Sequence, residues 1–198
     1  MLLTELTLKT FIGPSIKPYL HSIARLSVEV FQEYPYFCDT HIENEIDALQ
    51  KYPQCDSSIA VILFEGSKVV GAATGLPMHQ ESSFLQTPLI SREINPKTLF
   101  HFGEALLLRP YRGRGVGHHF YEIREEYARK LGYEQVCFYM KDTNESEPLR
   151  PPEFYPLDEF WRKRGFVHHR EIKLMLPWKD LFESSDSLKE CSYWIKKL

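Results

Sequence analysis

Long apolar runs, closely spaced cysteines and an excess of basic charge are all absent from this sequence. No apolar segment approaches the roughly 18–20 residues that a membrane-spanning helix needs. The four cysteines, Cys38, Cys55, Cys137 and Cys191, show no CxxC spacing, which argues against a zinc site or a disulfide framework and favours reduced thiols. Lys and Arg number 24 against 27 Asp and Glu, giving a net charge of -3. This balance does not favour a nucleic-acid partner.

The residues that are present suffice for one folded core. Of the 198 residues, 43% are hydrophobic and 14% aromatic, so the chain has enough apolar surface to bury. This length predicts a single domain over residues 1–198. The first residues show no basic-then-apolar secretory pattern, because Glu5 and Lys9 interrupt it. Together with the reduced thiols, this predicts a cytoplasmic protein.

Hydrophobic periodicity predicts alternating helices and strands. The clearest helix follows a glycine-rich turn, where Val116, Phe120, Ile123 and Tyr127 fall on one face. The predicted helices cover residues 18–31, 42–49, 116–131 and 157–164, with a short helical piece at 80–85 in an irregular loop over 77–96. The predicted strands cover residues 4–10, 58–64, 68–75, 98–108, 135–140, 167–176 and 189–197. The strand–helix–strand unit around the glycine turn indicates a parallel pair in a mixed sheet, and Gly103 is a candidate bulge or close-approach point.

The segment with most chemical information is the turn over residues 109–117, between a predicted strand and a predicted helix. Its glycines permit positive φ and place no Cβ in the way of a ligand; they are Gly113, Gly115 and Gly117. Backbone N–H groups of the turn and of the helix start converge there, which suits a phosphate. Arg112 and Arg114 would add charge-assisted contacts. Neither GxGxxG nor a Gly-Lys-Ser/Thr ending is present, so NAD and ATP are not favoured.

The remaining pattern, Arg112-x-x-Gly115-x-Gly117, resembles the pyrophosphate-binding motif of the GNAT superfamily of acyl-CoA-dependent N-acetyltransferases. The resemblance extends over residues 98–176. It includes the strand ahead of the turn, the Arg-Lys-Leu-Gly-Tyr run ending at Tyr133, and the segment 160–166 that ends in Gly-Phe. It implies an α/β (α+β) fold: a mixed, mostly antiparallel central sheet with a splayed parallel strand pair, flanked by helices. Acceptor-framing helices would lie at about 15–50 and the cofactor-binding core at about 98–176.

The resemblance also implies how acetyl-CoA binds and reacts. Its pantetheine would pair with the backbone near Leu106, Leu107 and Leu108. Its pyrophosphate would lie on the run Arg112, Gly113, Arg114, Gly115, Val116, Gly117 and His118. An amine, of a small molecule or a protein, would attack the thioester directly in a ternary complex, and a backbone N–H of the strand would stabilise the oxyanion. The alternative is a non-catalytic or weakly catalytic CoA-binding regulatory module.

Two residues are candidates for proton transfer. Glu104 lies on the strand ahead of the turn, where an ionisable group is costly unless it is paired or functional; it is a candidate general base, directly or through water. The other interpretation of Glu104 is a salt bridge with Arg109 or Arg150. Many members of the superfamily have a tyrosine that protonates the departing thiolate, four residues before the glycine of Gly-Phe. In this chain that position is Trp161. Tyr155 is the candidate substitute.

The remaining expectations concern partners. The histidines, including His101, His118 and the pair His168-His169, show neither HxxxH nor HExxH spacing, so no metal is expected. Glu81 is a candidate for lining the acceptor site. Neither a nucleic acid nor a membrane is expected as a partner, and the chain is predicted to be a monomer or a homodimer.

Overall fold

The computed structural model describes residues 6–144 and 146–198, and a single seven-stranded sheet runs through them. The strands are β1 (Leu6–Ile12), β2 (Ile59–Glu65), β3 (Lys68–Pro77), β4 (Leu99–Leu107), β5 (Gln135–Lys141), β6 (Val167–Trp178) and β7 (Ser187–Lys197). The helices are α1 (Leu20–Phe31), α2 (Ile42–Leu49), α3 (Ser83–Ile90), α4 (Val116–Lys130) and α5 (Asp158–Arg162). Short 3₁₀ segments precede α1 (Gly13–Tyr19) and link other elements at Met78–Gln80, Pro96–Thr98 and Arg109–Tyr111.

The strand order is β1-β2-β3-β4-β5-β7-β6, and β4 with β5 form the parallel pair. All other neighbours are antiparallel. The parallel ladder runs only from Leu99↔Gln135 to His101↔Cys137, although β4 continues to Leu107 and β5 to Lys141. The two strands therefore separate towards their carboxyl ends. This confirms the predicted mixed sheet with a splayed parallel pair.

Helices cover both faces of the sheet. Successive side chains of a strand point to opposite faces: Phe102 of β4 packs on Tyr121 of α4, whereas its neighbour Gly103 faces Tyr52, which follows α2. On the other half of the sheet, α3 lies against β6 and β7, where the Tyr193 hydroxyl donates to the Leu85 carbonyl at 2.7 Å. Trp161 of α5 packs on Tyr121 of α4, so α4 and α5 lie on the face of the sheet opposite to Tyr52.

Some boundaries differ from those that periodicity predicts. The helix predicted from residue 18 begins at Leu20, because Pro14 and Pro18 hold residues 13–19 in a 3₁₀ conformation. The predicted loop over 77–96 contains the eight-residue α3 rather than a helical piece at 80–85. That helix lacks a clear apolar stripe and includes Pro88, so its sequence has no strong helical signal. The first strand is Leu6–Ile12 instead of 4–10, and residues 4 and 5 lie outside the described residues.

Two further observations apply to residues 6–144 and 146–198. None of the helices there is both long and apolar enough to span a bilayer. No group of three or more His, Cys, Asp or Glu side chains in that part of the chain is arranged to hold a metal ion.

Candidate active site

A bulge in β4 determines where Glu104 points. Ala73 of β3 pairs with Ala105, and Gly75 pairs with Phe102, so Thr74 alone faces both Gly103 and Glu104. Because of the bulge, the Glu104 backbone N–H does not pair with the β3 backbone. It donates a hydrogen bond to the Thr74 hydroxyl oxygen at 2.9 Å instead. The side chain of Glu104 consequently turns towards Tyr52, at the level where β4 and β5 have separated.

Gly103 is the close-approach point that the sequence predicts. A Cβ at this position would lie 2.0 Å from the Tyr52 hydroxyl oxygen and 2.7 Å from Thr74 Oγ1. No larger residue fits there unless Tyr52 moves. Tyr52 is fully buried. The missing side chain at Gly103 leaves room for its hydroxyl group against the backbone of β4.

The Glu104 carboxylate is held through one of its oxygens. The Tyr52 hydroxyl donates to Oε2 at 2.6 Å, and the Thr74 hydroxyl contacts the same oxygen. Burial and the Glu104 charge raise the pKa of Tyr52 well above its ordinary value, so its hydroxyl remains a donor. Among the described residues nothing hydrogen-bonds Oε1, which leaves that oxygen available to take a proton.

The arginines predicted as alternative partners of Glu104 bind elsewhere. Arg109 pairs with Glu33 at 3.1 Å, and the Arg150 guanidinium lies 5.4 Å from the centre of the Phe154 ring. The salt-bridge interpretation of Glu104 is therefore wrong for both arginines.

Glu81, Lys51 and His101 form a second polar cluster beside this one. Glu81 accepts from Lys51 Nζ at 2.9 and 3.1 Å and contacts His101 Nδ1 at 2.8 Å. Burial raises the pKa of Glu81, but His101 and Lys51 outweigh it and hold the value at about 2. Glu81 is thus an anion within the core, where the sequence predicts an acceptor-site residue. His101 stacks on Tyr139 of β5 across the last paired position of the parallel ladder, with ring centres 5.5 Å apart.

The glycine turn leads from β4 into α4, as predicted. Gly113 and Gly115 have φ of 74° and 81°, a region that disfavours side chains. At Gly113, Gly115 and Gly117 an added Cβ would meet no protein atom within 4 Å. Gly115 occupies the N-cap position of α4, where helical N–H groups lack intrahelical partners. Buried Val116 packs this helix start into the core.

The charged residues of the turn have protein partners. Arg112 Nε donates to the Leu107 carbonyl at 2.8 Å, and its guanidinium donates to Glu33 at 2.7 and 3.1 Å. Arg114 lies over the Tyr111 ring, 5.9 Å from its centre. His118 contacts Arg164, with Nε2 at 2.9 Å from the guanidinium. Arg112 therefore ties the turn to β4 and to the segment after α1.

The three leucines predicted to bind pantetheine lie at the end of β4. Leu106 pairs with Ala72 and Leu107 with Gly71 on β3, and the Leu108 N–H donates to the Val70 carbonyl at 3.2 Å. All three lie beyond His101, the last residue of β4 that pairs with β5. No strand of the described chain pairs with the edge of β4 that faces the gap here, although the Leu107 carbonyl accepts from Arg112 Nε.

Trp161 and Tyr155 differ sharply in environment. Trp161 is 8% exposed and packs on Phe138 of β5, with ring centres 4.4 Å apart. Its Nε1 is buried and has no hydrogen-bond partner within residues 6–144 and 146–198. Tyr155 is 88% exposed, in the loop before α5. The structure thus brings Glu104 to the gap but does not enclose Tyr155, whose role as an acid stays a prediction.

Sequence reasoning missed Tyr52, Thr74, Lys51 and His101. Tyr52 lies about fifty positions from Glu104 along the chain, and no motif joins them. The available signal was Gly103, since a glycine inside a strand indicates that another group approaches closely.

Neither a protein-family model nor a curated protein matches this chain. Solved structures do match over nearly its whole length. A ribosomal-protein-alanine N-acetyltransferase from Brucella melitensis is 13% identical, with 97% of this chain and 99% of that chain covered and a TM-score of 0.61. A GNAT-family acetyltransferase from Streptococcus pneumoniae is 13% identical, with 98% and 100% covered and a TM-score of 0.59. An acetyltransferase from Thermus thermophilus is 17% identical, with 100% of both chains covered and a TM-score of 0.53.

These likenesses define the class of fold. At 13–17% identity they establish the architecture and leave the substrate open. The chain has the GNAT fold, as the resemblance seen in its sequence implies.

Proposed function

We propose that this protein is an acetyl-CoA-dependent N-acetyltransferase that moves an acetyl group to an amine by direct attack in a ternary complex. One observation carries the proposal: β4 and β5 separate beside a carboxylate with one free oxygen, and β4 leads directly into an open glycine turn at a helix start. A CoA thioester needs these two features, one for its phosphates and one for the reaction.

The glycine turn supplies the phosphate site. The unpaired N–H groups at the start of α4 and the positive end of its dipole favour a pyrophosphate. Because Arg112 is bound to Glu33 and to the Leu107 carbonyl, we assign it to holding the turn in shape, and backbone N–H groups supply most of the phosphate contacts. The edge of β4 at Leu106–Leu108, with which no strand pairs on the side of the gap within the described chain, would bind the pantetheine amides.

Glu104 supplies the base. The amine loses a proton to Oε1, directly or through one water, while its nitrogen forms a bond to the thioester carbon. The carbon–sulfur bond then breaks, and CoA leaves as the thiolate. Tyr52 and Thr74 fix the other carboxylate oxygen, so the base keeps one orientation throughout.

The group that protonates the leaving thiolate is less well defined than the base. A CoA thiol has a pKa near that of free cysteine, about 8.5, so departure without an acid is slowed rather than prevented. Tyr155 remains the candidate acid. The burial of Trp161 at the usual tyrosine position is the observation that favours the second candidate function, a weakly catalytic or non-catalytic CoA-binding module.

The amine of a small molecule or a protein is the proposed acceptor, with neither a nucleic acid nor a membrane as partner. The proposed state is a monomer or a homodimer without a metal. Four free cysteines, two of them buried, support a cytoplasmic location.

A pair of glycines allows a matched test of cofactor binding. Gly115 and Gly132 both have φ of 81°, and neither has an atom within 4 Å of an added Cβ. Gly115→Val and Gly132→Val therefore share the same backbone strain, but only the first places a side chain at the proposed phosphate site. Thermal shift and calorimetry would be measured with acetyl-CoA, CoA, ATP and NAD.

We expect the parent and Gly132→Val to be stabilised by acetyl-CoA and CoA alone. A ligand at about 100 times its Kd adds ~2.7 kcal/mol, or several degrees at ~2–4 °C per kcal/mol. Gly115→Val should lose this shift. Equal CoA binding by both variants would refute the phosphate site, and CoA binding without acetyl transfer to any amine in a screen would favour the regulatory module.

A further inference from the structure

A cavity of about 300 Å³ lies where the segment before α5 crosses the end of β5. Its apolar walls are Met140, Phe154, Pro156, Leu157 and Trp194. Small-molecule sites span roughly 300–1,000 Å³, so this cavity suits a compound of the size of an amino acid.

The cavity borders the gap between β4 and β5. Cys137 is the last residue of β5 that pairs with β4, and Met140 and Lys141, which lie beyond it, line the cavity. On β4 the proposed base, Glu104, likewise lies beyond the last paired residue, His101. A molecule in the cavity therefore lies beside the part of β5 that has separated from β4.

Some charges around the cavity are neutralised by protein groups. Lys173 pairs with Glu190 at 2.6 Å and Asp158 with Arg162 at 3.3 Å. One anion and two cations remain. Asp142 has His168 as its one ion-pair contact within residues 6–144 and 146–198, at 3.7 Å, and neither Arg170 nor Lys141 has a carboxylate partner there; Lys141 donates to the neutral Pro35 carbonyl at 2.7 Å, and all three residues line the cavity.

Buried hydrogen bonds fix the position of Asp142. The buried Ser192 hydroxyl donates to Asp142 Oδ1 at 2.5 Å, and His168 Nε2 lies 2.6 Å from the same hydroxyl. Since that hydroxyl proton is used on Asp142, His168 donates from Nε2, and its Nδ1 is an acceptor. Nδ1 is buried without a partner in the described chain. The Asp142 carboxylate, fixed at one wall, favours a ligand that donates N–H groups.

We propose that this cavity binds an amino acid with an apolar side chain, and that this compound is the acceptor of the proposed acetyl transfer. Asp142 attracts its ammonium group, Arg170 binds its carboxylate, and the apolar walls hold its side chain. Asp142 pairs with neither Arg170 nor Lys141, so a ligand carrying both opposite charges matches the cavity better than a simple amine. The assignment of the acceptor rests on the proposed function, whereas binding to the cavity does not.

Binding can be measured without acetyl-CoA. The probes are L-phenylalanine, L-methionine and L-leucine, compared by calorimetry with 2-phenylethylamine, which lacks the carboxylate, and 3-phenylpropionate, which lacks the ammonium group. Arg170→Gln and Asp142→Asn remove one charge each, and Asn can still accept from Ser192. Arg25→Gln, at an exposed position on α1 outside the cavity, is the control.

We expect at least one of the amino acids to bind, and both single-charge analogues to bind at least tenfold more weakly. Each cavity variant should weaken amino-acid binding at least tenfold while Arg25→Gln does not. Binding of 2-phenylethylamine as tight as that of phenylalanine, or binding insensitive to Arg170→Gln, would overturn the assignment, as would the absence of amino-acid binding.

Mass spectrometry of the reaction with acetyl-CoA tests the acceptor role. The N-acetylated form of the bound amino acid is the expected product. The protein could acetylate other amines and yet leave the bound amino acid unmodified. That result would overturn the acceptor role alone. Protein that binds acetyl-CoA normally but no amino acid overturns this inference and leaves the proposed function standing. Failure to bind acetyl-CoA overturns the proposed function instead.

Discussion

The contact between Gly103 and Tyr52 gives a prediction whose size follows from the structure. In Gly103→Ala the new Cβ would lie 2.0 Å from the Tyr52 hydroxyl oxygen, far inside contact distance. Tyr52 is fully buried and must shift. Overpacking of a core costs about 1–3 kcal/mol, and loss of the hydrogen bond to the Glu104 carboxylate costs about 1.5–3 kcal/mol. We expect Gly103→Ala to lower the free energy of unfolding by about 2.5–6 kcal/mol.

The companion variant is Tyr52→Phe, which removes the clashing oxygen. Alone it loses the hydrogen bond and costs about 1.5–3 kcal/mol. In the double variant the next atom of the ring, Cζ, lies 3.2 Å from the new Cβ, so a small adjustment of the ring and of the Thr74 hydroxyl relieves the strain. The double variant should therefore be more stable than Gly103→Ala alone.

Urea unfolding of the four proteins measures this cycle, and acetyl-transfer turnover measured in parallel reports on Glu104. Independent substitutions add within about 0.5 kcal/mol. We expect a departure from additivity of about 1–3 kcal/mol, with reduced turnover in all three variants because Glu104 loses its fixed orientation. Additive costs, or full turnover in Tyr52→Phe, would show that the Tyr52 hydroxyl neither fills this space nor positions the carboxylate.

Three further predictions concern single ionisable groups. Glu81 has a folded pKa of about 2 against an ordinary 4.5, so its contribution to stability is present above pH 4.5 and lost as pH falls towards 2. Over that window the parent should lose about 3 kcal/mol more unfolding free energy than Glu81→Gln, and parallel pH profiles would contradict the pairing of Glu81 with Lys51 and His101. Glu104→Gln should lower turnover at least 100-fold with unchanged acetyl-CoA affinity, and a weakened affinity would instead indicate a binding role. Tyr155→Phe should lower turnover about tenfold or more if the loop closes over the thioester. Unchanged turnover would show that Tyr155 does not protonate the thiolate.

The elements around the glycine turn could be predicted because their signals are local. A strand, three glycines within five residues, and an amphipathic helix follow one another, and β4, α4 and β5 lie where periodicity places them. Helix α3 lacked such a signal, since Ser, Gln and Pro88 interrupt its apolar positions. It is held instead by contacts with β6 and with Tyr193 of β7, which no local pattern encodes.

The partners of the candidate site are non-local, and this limited prediction there. Glu104 could be selected from its place in a strand, but Tyr52 and Thr74 reach it only because β4 has a bulge beside Gly103. Similarly, Arg112 could be placed on the turn, whereas its carboxylate partner Glu33 follows α1, 79 positions away along the chain. A charge in a motif indicates a potential contact, and the fold decides which group receives it.

The pairing of cations around Glu104 explains why this carboxylate suits the role of a base. A carboxylate in an ion pair is stabilised in its charged form and accepts a proton less readily. Lys51 is close enough for its charge to act on Glu104, but Glu81 holds its ammonium with both oxygens, at 2.9 and 3.1 Å. The charge of buried Arg124 also acts on Glu104, but its guanidinium donates to the Phe120 and Thr74 carbonyls, at 2.9 and 3.0 Å. Both cations thus bind other groups, and among the described residues Glu104 is left with hydroxyl donors on one oxygen and no hydrogen bond to the other.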